Sequence, residues 1–135
     1  MITDALYSQA DSDGIEVLCG AHLPLTKSVS LNMDNKMFIG IDDTAMQTSA
    51  EERVHLAHEM GHCETGAFYS LYSPIDNRHW CENKANIWAI HKLIDQDILC
   101  NLIKSRDGEI GVWELADYFD VTEPFMNMAL EYYFK

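Results

Sequence analysis

Hydrophobic and polar positions change their period along this chain, from two near the start to three or four over most of the rest. Ile2 to Ala10 reads as a short helix that Asp11-Ser12-Asp13-Gly14 terminates. Three brief extended runs follow, Ile15 to Cys19, Ser28 to Asn32 and Lys36 to Ile41, the last two separated by Met33-Asp34-Asn35, a hairpin turn. They predict a small sheet.

Helical spacing then takes over. Thr48 or Ser49 caps a helix, with Glu51 and Glu52 in the capping-box position and Arg53 to Cys63 running on without a breaker until Gly66. Gly61 stands inside that helix, where it costs up to about 1 kcal/mol against alanine, so something is expected to pass close to the backbone there. Glu64 to Arg78 holds the turn formers Gly66, Ser73-Pro74 and Asp76-Asn77 beside Phe68, Tyr69 and Tyr72, and predicts a loop with some packing of its own. From His79 or Trp80 to about Lys104, Ile87, Ile90, Leu93, Ile94, Ile98 and Leu102 lie mostly three or four apart and predict a second long helix. After Asp107-Gly108, VWELADYF and EPFMNMALEYYF form two more helices joined by Asp120-Val121-Thr122, with Thr122 as cap and Pro124 in the first turn. The fold class is α+β.

Composition narrows the partners. With 135 residues, 47% of them hydrophobic, the chain supports one core, read as a single domain over 1–135: helix and small sheet in 1–47, two long helices in 48–106, a helix pair in 107–135. Nine basic against 22 acidic side chains, a net charge of -13, argue against a nucleic-acid surface and favour a cationic partner. The terminal helix pair has the look of a helix-turn-helix, yet residues 107–135 hold seven acidic side chains and one basic. Cysteines at 19, 63, 81 and 100 form no C-x-x-C pair, and MITDALYSQADSD is too acidic for an export signal, so reduced thiols in a cytoplasmic protein are expected. No run approaches the roughly 20 apolar residues that cross a bilayer.

The chemistry concentrates in LAHEMGH at 56–62. Residues four apart on a helix lie on one face, about 6 Å apart along the axis, so His58 and His62 can converge on one ion. Glu59, rotated by roughly 100 degrees from His58, falls beside that ion as a general base. Glu82 starts the second long helix and supplies a third ligand, and Asn86, four residues on, can fix the tautomer of a ligating imidazole. Ala57 and Gly61 on one helix and Ala85 and Ala89 on the other would let the two backbones approach. Two nitrogens and one carboxylate with a fourth position open make Zn2+ the expected metal.

These residues resemble the ImmA/IrrE metallo-endopeptidases of bacteria and their mobile elements. The likeness rests on LAHEMGH, on ENKANIWA at 82–89 and on ELADYFDVTEPFMNMALEY at 114–132, in that order. It implies a minimal zincin-like fold of the gluzincin type: a small sheet over an active-site helix, a second ligand-bearing helix and a helical tail. By the same resemblance His58, His62 and Glu82 match the metal ligands, Glu59 matches the catalytic base, and the substrate is a helix-turn-helix repressor of a phage or mobile element. The pattern departs after Trp88, where the run to Asp95 lacks an aliphatic ending near a proline. Two alternatives stay open, a non-cleaving, zinc-stabilised interaction protein that binds a regulator and a toxin–antitoxin component.

Neighbouring side chains have plainer readings. His55 is expected to pack or hydrogen-bond rather than ligate, and His79, Tyr69 and Tyr72 are structural before they are oxyanion donors. Cys63 and Cys81 read as buried small hydrophobes. Met33, Met37, Met46, Met60, Met126 and Met128 read mostly as core fillers, with Met126 and Met128 beside Tyr132 and Tyr133 as a possible partner surface. Lys36 to Ile41 is either an exposed edge that pairs with an extended substrate or an ordinary buried face.

Overall fold

A parallel strand pair forms one half of the sheet and a tight hairpin the other. The computed structural model describes residues 2–135, and among these an α+β chain of three strands and six α-helices is found. Helix α1 (Ile2–Ser12) leads into β1 (Ile15–Cys19), then β2 (Ser28–Met33) and β3 (Lys36–Ile41). The sheet order is β1-β3-β2, with β1 parallel to β3 from Ile15 opposite Met37 to Cys19 opposite Ile41. β2 is antiparallel to β3, from Ser28 opposite Ile41 to Met33 opposite Lys36. The turn between them is Asp34-Asn35, with φ of 54 and 65 degrees, the left-handed pair that a two-residue hairpin requires and that Asp and Asn tolerate.

This order decides between the two readings of Lys36 to Ile41 in favour of a buried face. β3 is the central strand, with Ile39 and Ile41 fully buried, and β2 is the edge. Strand order depends on which distant segment pairs with β3, and alternation within one strand carries no record of it.

Past a 3-10 turn at Asp43–Ala45, α2 (Ser49–Thr65) starts and stops on its expected signals. The Thr48 hydroxyl accepts a hydrogen bond from the Glu51 N–H at 3.1 Å, and Gly66 closes the helix at φ 70 degrees. The second long helix is different from its prediction. α3 (Ile75–Leu93) begins directly after Pro74, so Asp76-Asn77 lies in its first turn, and α4 (Gln96–Ser105) is a separate helix. Ile94 is extended at the break and Asp95 caps α4 by accepting from the Ile98 N–H at 3.0 Å. The Tyr133 hydroxyl donates to the Ile94 carbonyl at 2.7 Å, satisfying an acceptor that the break leaves outside the helical ladder. Helices α5 (Val112–Phe119) and α6 (Glu123–Tyr133) follow, the latter capped by Thr122 with Pro124 in its first turn.

One buried cluster runs through these elements: Ile39 and Ile41 of the sheet, Leu56 and Met60 of α2, Ile90 and Ile94 at the end of α3, Leu99 of α4, Phe119 of α5, and Phe125 and Met126 of α6. Met60 and Met126 are core residues as expected and Met128 packs at its margin, but Met33 at the hairpin is 60% exposed. Helices α2 and α3 run antiparallel, since His58 meets Asn86 and Gly61 meets Ala85 farther toward the start of α3. A Cβ on Gly61 would lie 2.5 Å from the Ala85 carbonyl oxygen, so the close backbone approach predicted there is real. Ala57, Ala85 and Ala89 are fully buried. Among the described residues no helix is long and apolar enough to cross a membrane.

Candidate metal centre

The close approach of α2 and α3 brings three donors together. His58 and His62 project from successive turns of α2, their rings edge to face with centroids 4.8 Å apart. Glu82, two turns into α3, reaches between them: Oε2 lies 2.8 Å from His58 Nε2, and Oε1 lies 3.4 Å from His62 Nε2. One ligand atom from each of the three falls within 4.8 Å of the others.

The far side of each imidazole is held by an oxygen acceptor. His58 Nδ1 is 2.7 Å from Asn86 Oδ1, and His62 Nδ1 is 2.6 Å from the Ala67 carbonyl just past the end of α2. With an acceptor on each side, Nδ1 carries the hydrogen and both Nε2 atoms face the shared centre as ligand atoms. The donor set therefore fits a metal ion on its own chemistry: two neutral nitrogens, one anionic oxygen and room on the cleft side.

Charge is concentrated at this point. Close contact with the His58 and His62 rings, aided by the Tyr69 hydroxyl and outweighing burial, holds the Glu82 carboxyl well below the usual carboxylate range. Burial pulls the His62 imidazolium down, but Glu82 and the Ala67 carbonyl raise it on balance. Tyr69 donates to Glu82 Oε1, and that bond together with desolvation pushes its own phenol up to about 12.

Glu59 lies beside the three donors, 7% exposed, and lines the same cleft. Its Oε2 accepts a hydrogen bond from the Ser28 hydroxyl at 2.6 Å, and the same hydroxyl lies 3.0 Å from His55 Nδ1. His55 thus hydrogen-bonds rather than joining the donor set, and burial lowers its imidazolium. Ser28 has no signal of its own in the sequence, being a serine at the start of a strand 31 positions from its partner. The Ala67 carbonyl was equally invisible, because backbone carries no residue identity.

The cleft, about 570 Å3, is bounded by the β2 residues Ser28, Val29, Ser30 and Leu31 on one side and by Phe68, Tyr69 and Leu71 on the other. Of the aromatic and histidine candidates, Tyr69 reaches the centre, His79 stands exposed in an adjoining hollow with Tyr69 and Glu82, and Tyr72 is 96% exposed and bonds to nothing in the site. Cys63 and Cys81 are buried free thiols, as expected. Burial pushes Cys63 up to about 12, and Cys81 donates a weak bond to the Phe68 carbonyl at 3.6 Å.

An α+β chain with two imidazoles and a carboxylate converging under an open cleft, and a buried second carboxylate at its wall, has the make-up of a metal-dependent hydrolase domain. The Peptidase_M78 family model, described as an IrrE N-terminal-like domain, matches residues 11–131, and the chain belongs to that metallopeptidase family. Searches of curated proteins and of solved structures returned no match.

Proposed function

We propose that this chain is a zinc endopeptidase of the H-E-x-x-H type with a zincin-like arrangement, cutting a protein partner in the cytoplasm. His58, His62 and Glu82 would hold the ion and Glu59 would act as base. The observation that carries this reading is the convergence of the three donors within 4.8 Å, with Glu59 on the wall of the same cleft.

A zinc ion held there supplies Lewis-acid activation of water and of the scissile carbonyl. The chain's own residues do the rest. Glu59 takes the proton of the attacking water and returns it to the leaving amine, so the C–N bond breaks to a carboxylate and an amine. Ser28 orients that carboxylate through Oε2, leaving Oε1 for the proton. Asn86 and the Ala67 carbonyl keep both imidazoles turned to the centre, and Tyr69 steadies Glu82.

Substrate placement follows from the edge of the sheet. Ser28, Val29, Ser30 and Leu31 are consecutive, so their side chains alternate between faces, yet all four border the cleft. The cleft therefore runs along the strand edge, where an extended peptide can add to β2 through main-chain hydrogen bonds. The net charge of -13 favours a basic partner, and with the family likeness this points to a helix-turn-helix repressor of a phage or mobile element.

The experiment is incubation of the purified protein with the repressor encoded beside it, with and without a chelator. Cleavage that the chelator abolishes, that zinc restores and that Glu59→Gln loses while keeping about one equivalent of metal is the expected result. A Glu59→Gln protein that binds the repressor and relieves repression without cutting would replace the peptidase with an interaction protein.

A further inference from the structure

Away from the metal cleft, one charged side chain is buried without a partner among the described residues. Arg53, on α2, is 8% exposed, and its Nε has no hydrogen-bond partner. Among the described residues the guanidinium makes neither hydrogen bond nor ion pair, although the chain carries 22 carboxylates against nine cations. Asp120 attracts it from beyond bonding reach, and burial lowers its affinity for the proton. Buried arginines are otherwise paired, because an unpaired buried ion loses its hydration with no compensating contact.

Arg53 borders a cavity of about 250 Å3 between three helices. Ala5, Leu6 and Gln9 of α1 form one wall, and Lys92 and Leu93 of α3 the other. Lys92 adds a second cation at the exposed rim, where the Glu64 carboxyl also interacts with it. The Gln9 amide donates to Asp13 at 3.5 Å. Ala5, Leu6 and Leu93 supply an apolar surround that strengthens any charge pairing made inside it.

We infer that this cavity binds a small dianionic oxyanion of the phosphate type. The planar guanidinium offers a forked pair of N–H donors that matches two oxygens of such a group, and the Lys92 ammonium meets a third as a point charge. Cations of different geometry on different helices suit a tetrahedral group with several oxygens better than one flat carboxylate. The ligand is either free phosphate or the phosphoryl group of a small monoester. It would tie α2 to α3, the helices that carry His58, His62 and Glu82, about 7.5 Å along α2 from His58.

Calorimetric titration of the zinc-loaded protein with inorganic phosphate and, separately, with glycerol 3-phosphate, at ionic strength fixed with chloride, tests the site. Saturable binding of at least one probe is expected, and the apparent Kd should rise at least tenfold in Lys92→Gln, whose replaced side chain is exposed and lines no part of the metal cleft. Arg53→Met should fold and lose the same binding. Tighter binding of free phosphate would identify the ion as ligand, and binding of the monoester alone would identify the phosphoryl group. No saturable binding of either probe, or equal affinity in Lys92→Gln, would overturn the inference. Equal affinity there would assign the phosphate to the metal, and no binding would leave Arg53 to water.

Discussion

Replacing Gly61 by alanine should weaken the fold and the metal site together, against the usual direction of such a change. In an ordinary helix interior the substitution gains up to about 1 kcal/mol through backbone entropy. Here the added methyl would stand 2.5 Å from the Ala85 carbonyl oxygen and 2.9 Å from its Cα, and both are backbone atoms that no rotamer can move. Ordinary contact begins at 3.4 Å, so α2 and α3 must separate by about 0.9 Å at this point. Inserting a methyl into a packed contact costs about 1–3 kcal/mol, and after the propensity gain a net loss of up to about 2 kcal/mol remains. For a chain of this length that is a fall in Tm of up to about 7 °C.

The same displacement acts on the donors. His58 and His62 ride on α2 and Glu82 on α3, and ligand distances tolerate only about 0.2 Å of error. Zinc affinity, read by competition with a chromophoric chelator, should therefore drop at least about tenfold, in the range seen when an orienting partner is lost. Denaturant unfolding with and without metal separates the two effects. A Gly61→Ala protein as stable as the parent, with unchanged zinc affinity, would refute the claim that backbone contact at Ala85 sets the helix spacing.

Asn86→Leu should lower zinc affinity about 10–100-fold by removing the acceptor from His58 Nδ1, and Asn86→Asp, which keeps an oxygen there, should restore most of it; chelator competition reads both. Ser28→Ala should leave metal content unchanged and cut kcat about 10–100-fold, since the lost bond to a charged carboxylate is of order 1.5–3 kcal/mol; an unchanged kcat would remove Ser28 from the machinery. The Lys27–Glu51 pair lowers the Glu51 carboxyl from its ordinary value of 4.5, chiefly through the Lys27 hydrogen bond, so its stabilisation is complete above about pH 4.5 and disappears as pH falls through the lowered value. Lys27→Met should flatten that part of the acid-unfolding curve, measured by circular dichroism.

Signals that act within three or four residues were readable from the chain. Thr48 reaches the Glu51 N–H, Gly66 takes the left-handed conformation that ends α2, and Asp34-Asn35 adopts the paired positive φ of its hairpin, each a contact between near neighbours. The two histidines were readable for the same reason, because i to i+4 geometry on α2 depends on nothing distant. The α3–α4 break does not show in the pattern because Ile90, Ile94, Ile98 and Leu102 keep a spacing of four across it, although in the fold Ile98 is exposed and Leu99 takes the core position of α4. Asp95 was the local sign: an aspartate three residues before the Ile98 N–H it caps. Strand order and the Ser28–Glu59 bond are of another kind. They join segments tens of residues apart, and only the assembled core decides which of the competing partners meets.

The three-donor cluster therefore rests on packing that its own side chains do not provide. Ala57, Gly61, Ala85 and Ala89 let α2 and α3 close to backbone contact, and none of the four can bind an ion. That contact carries Asn86 to His58 and Glu82 to the space between the two imidazoles, while Gly66 turns the chain so that the Ala67 carbonyl returns to His62. Each ring is fixed from behind by an acceptor from outside α2: Asn86 from α3 for His58, the α2–α3 loop for His62. The sheet adds a further hold, as Ser28 at the start of β2 bonds to Glu59 on α2. The geometry of the cluster is thus set by helix spacing, a loop carbonyl and a strand end together, so the small residues between the helices are as necessary to its convergence as the histidines are to its donor set.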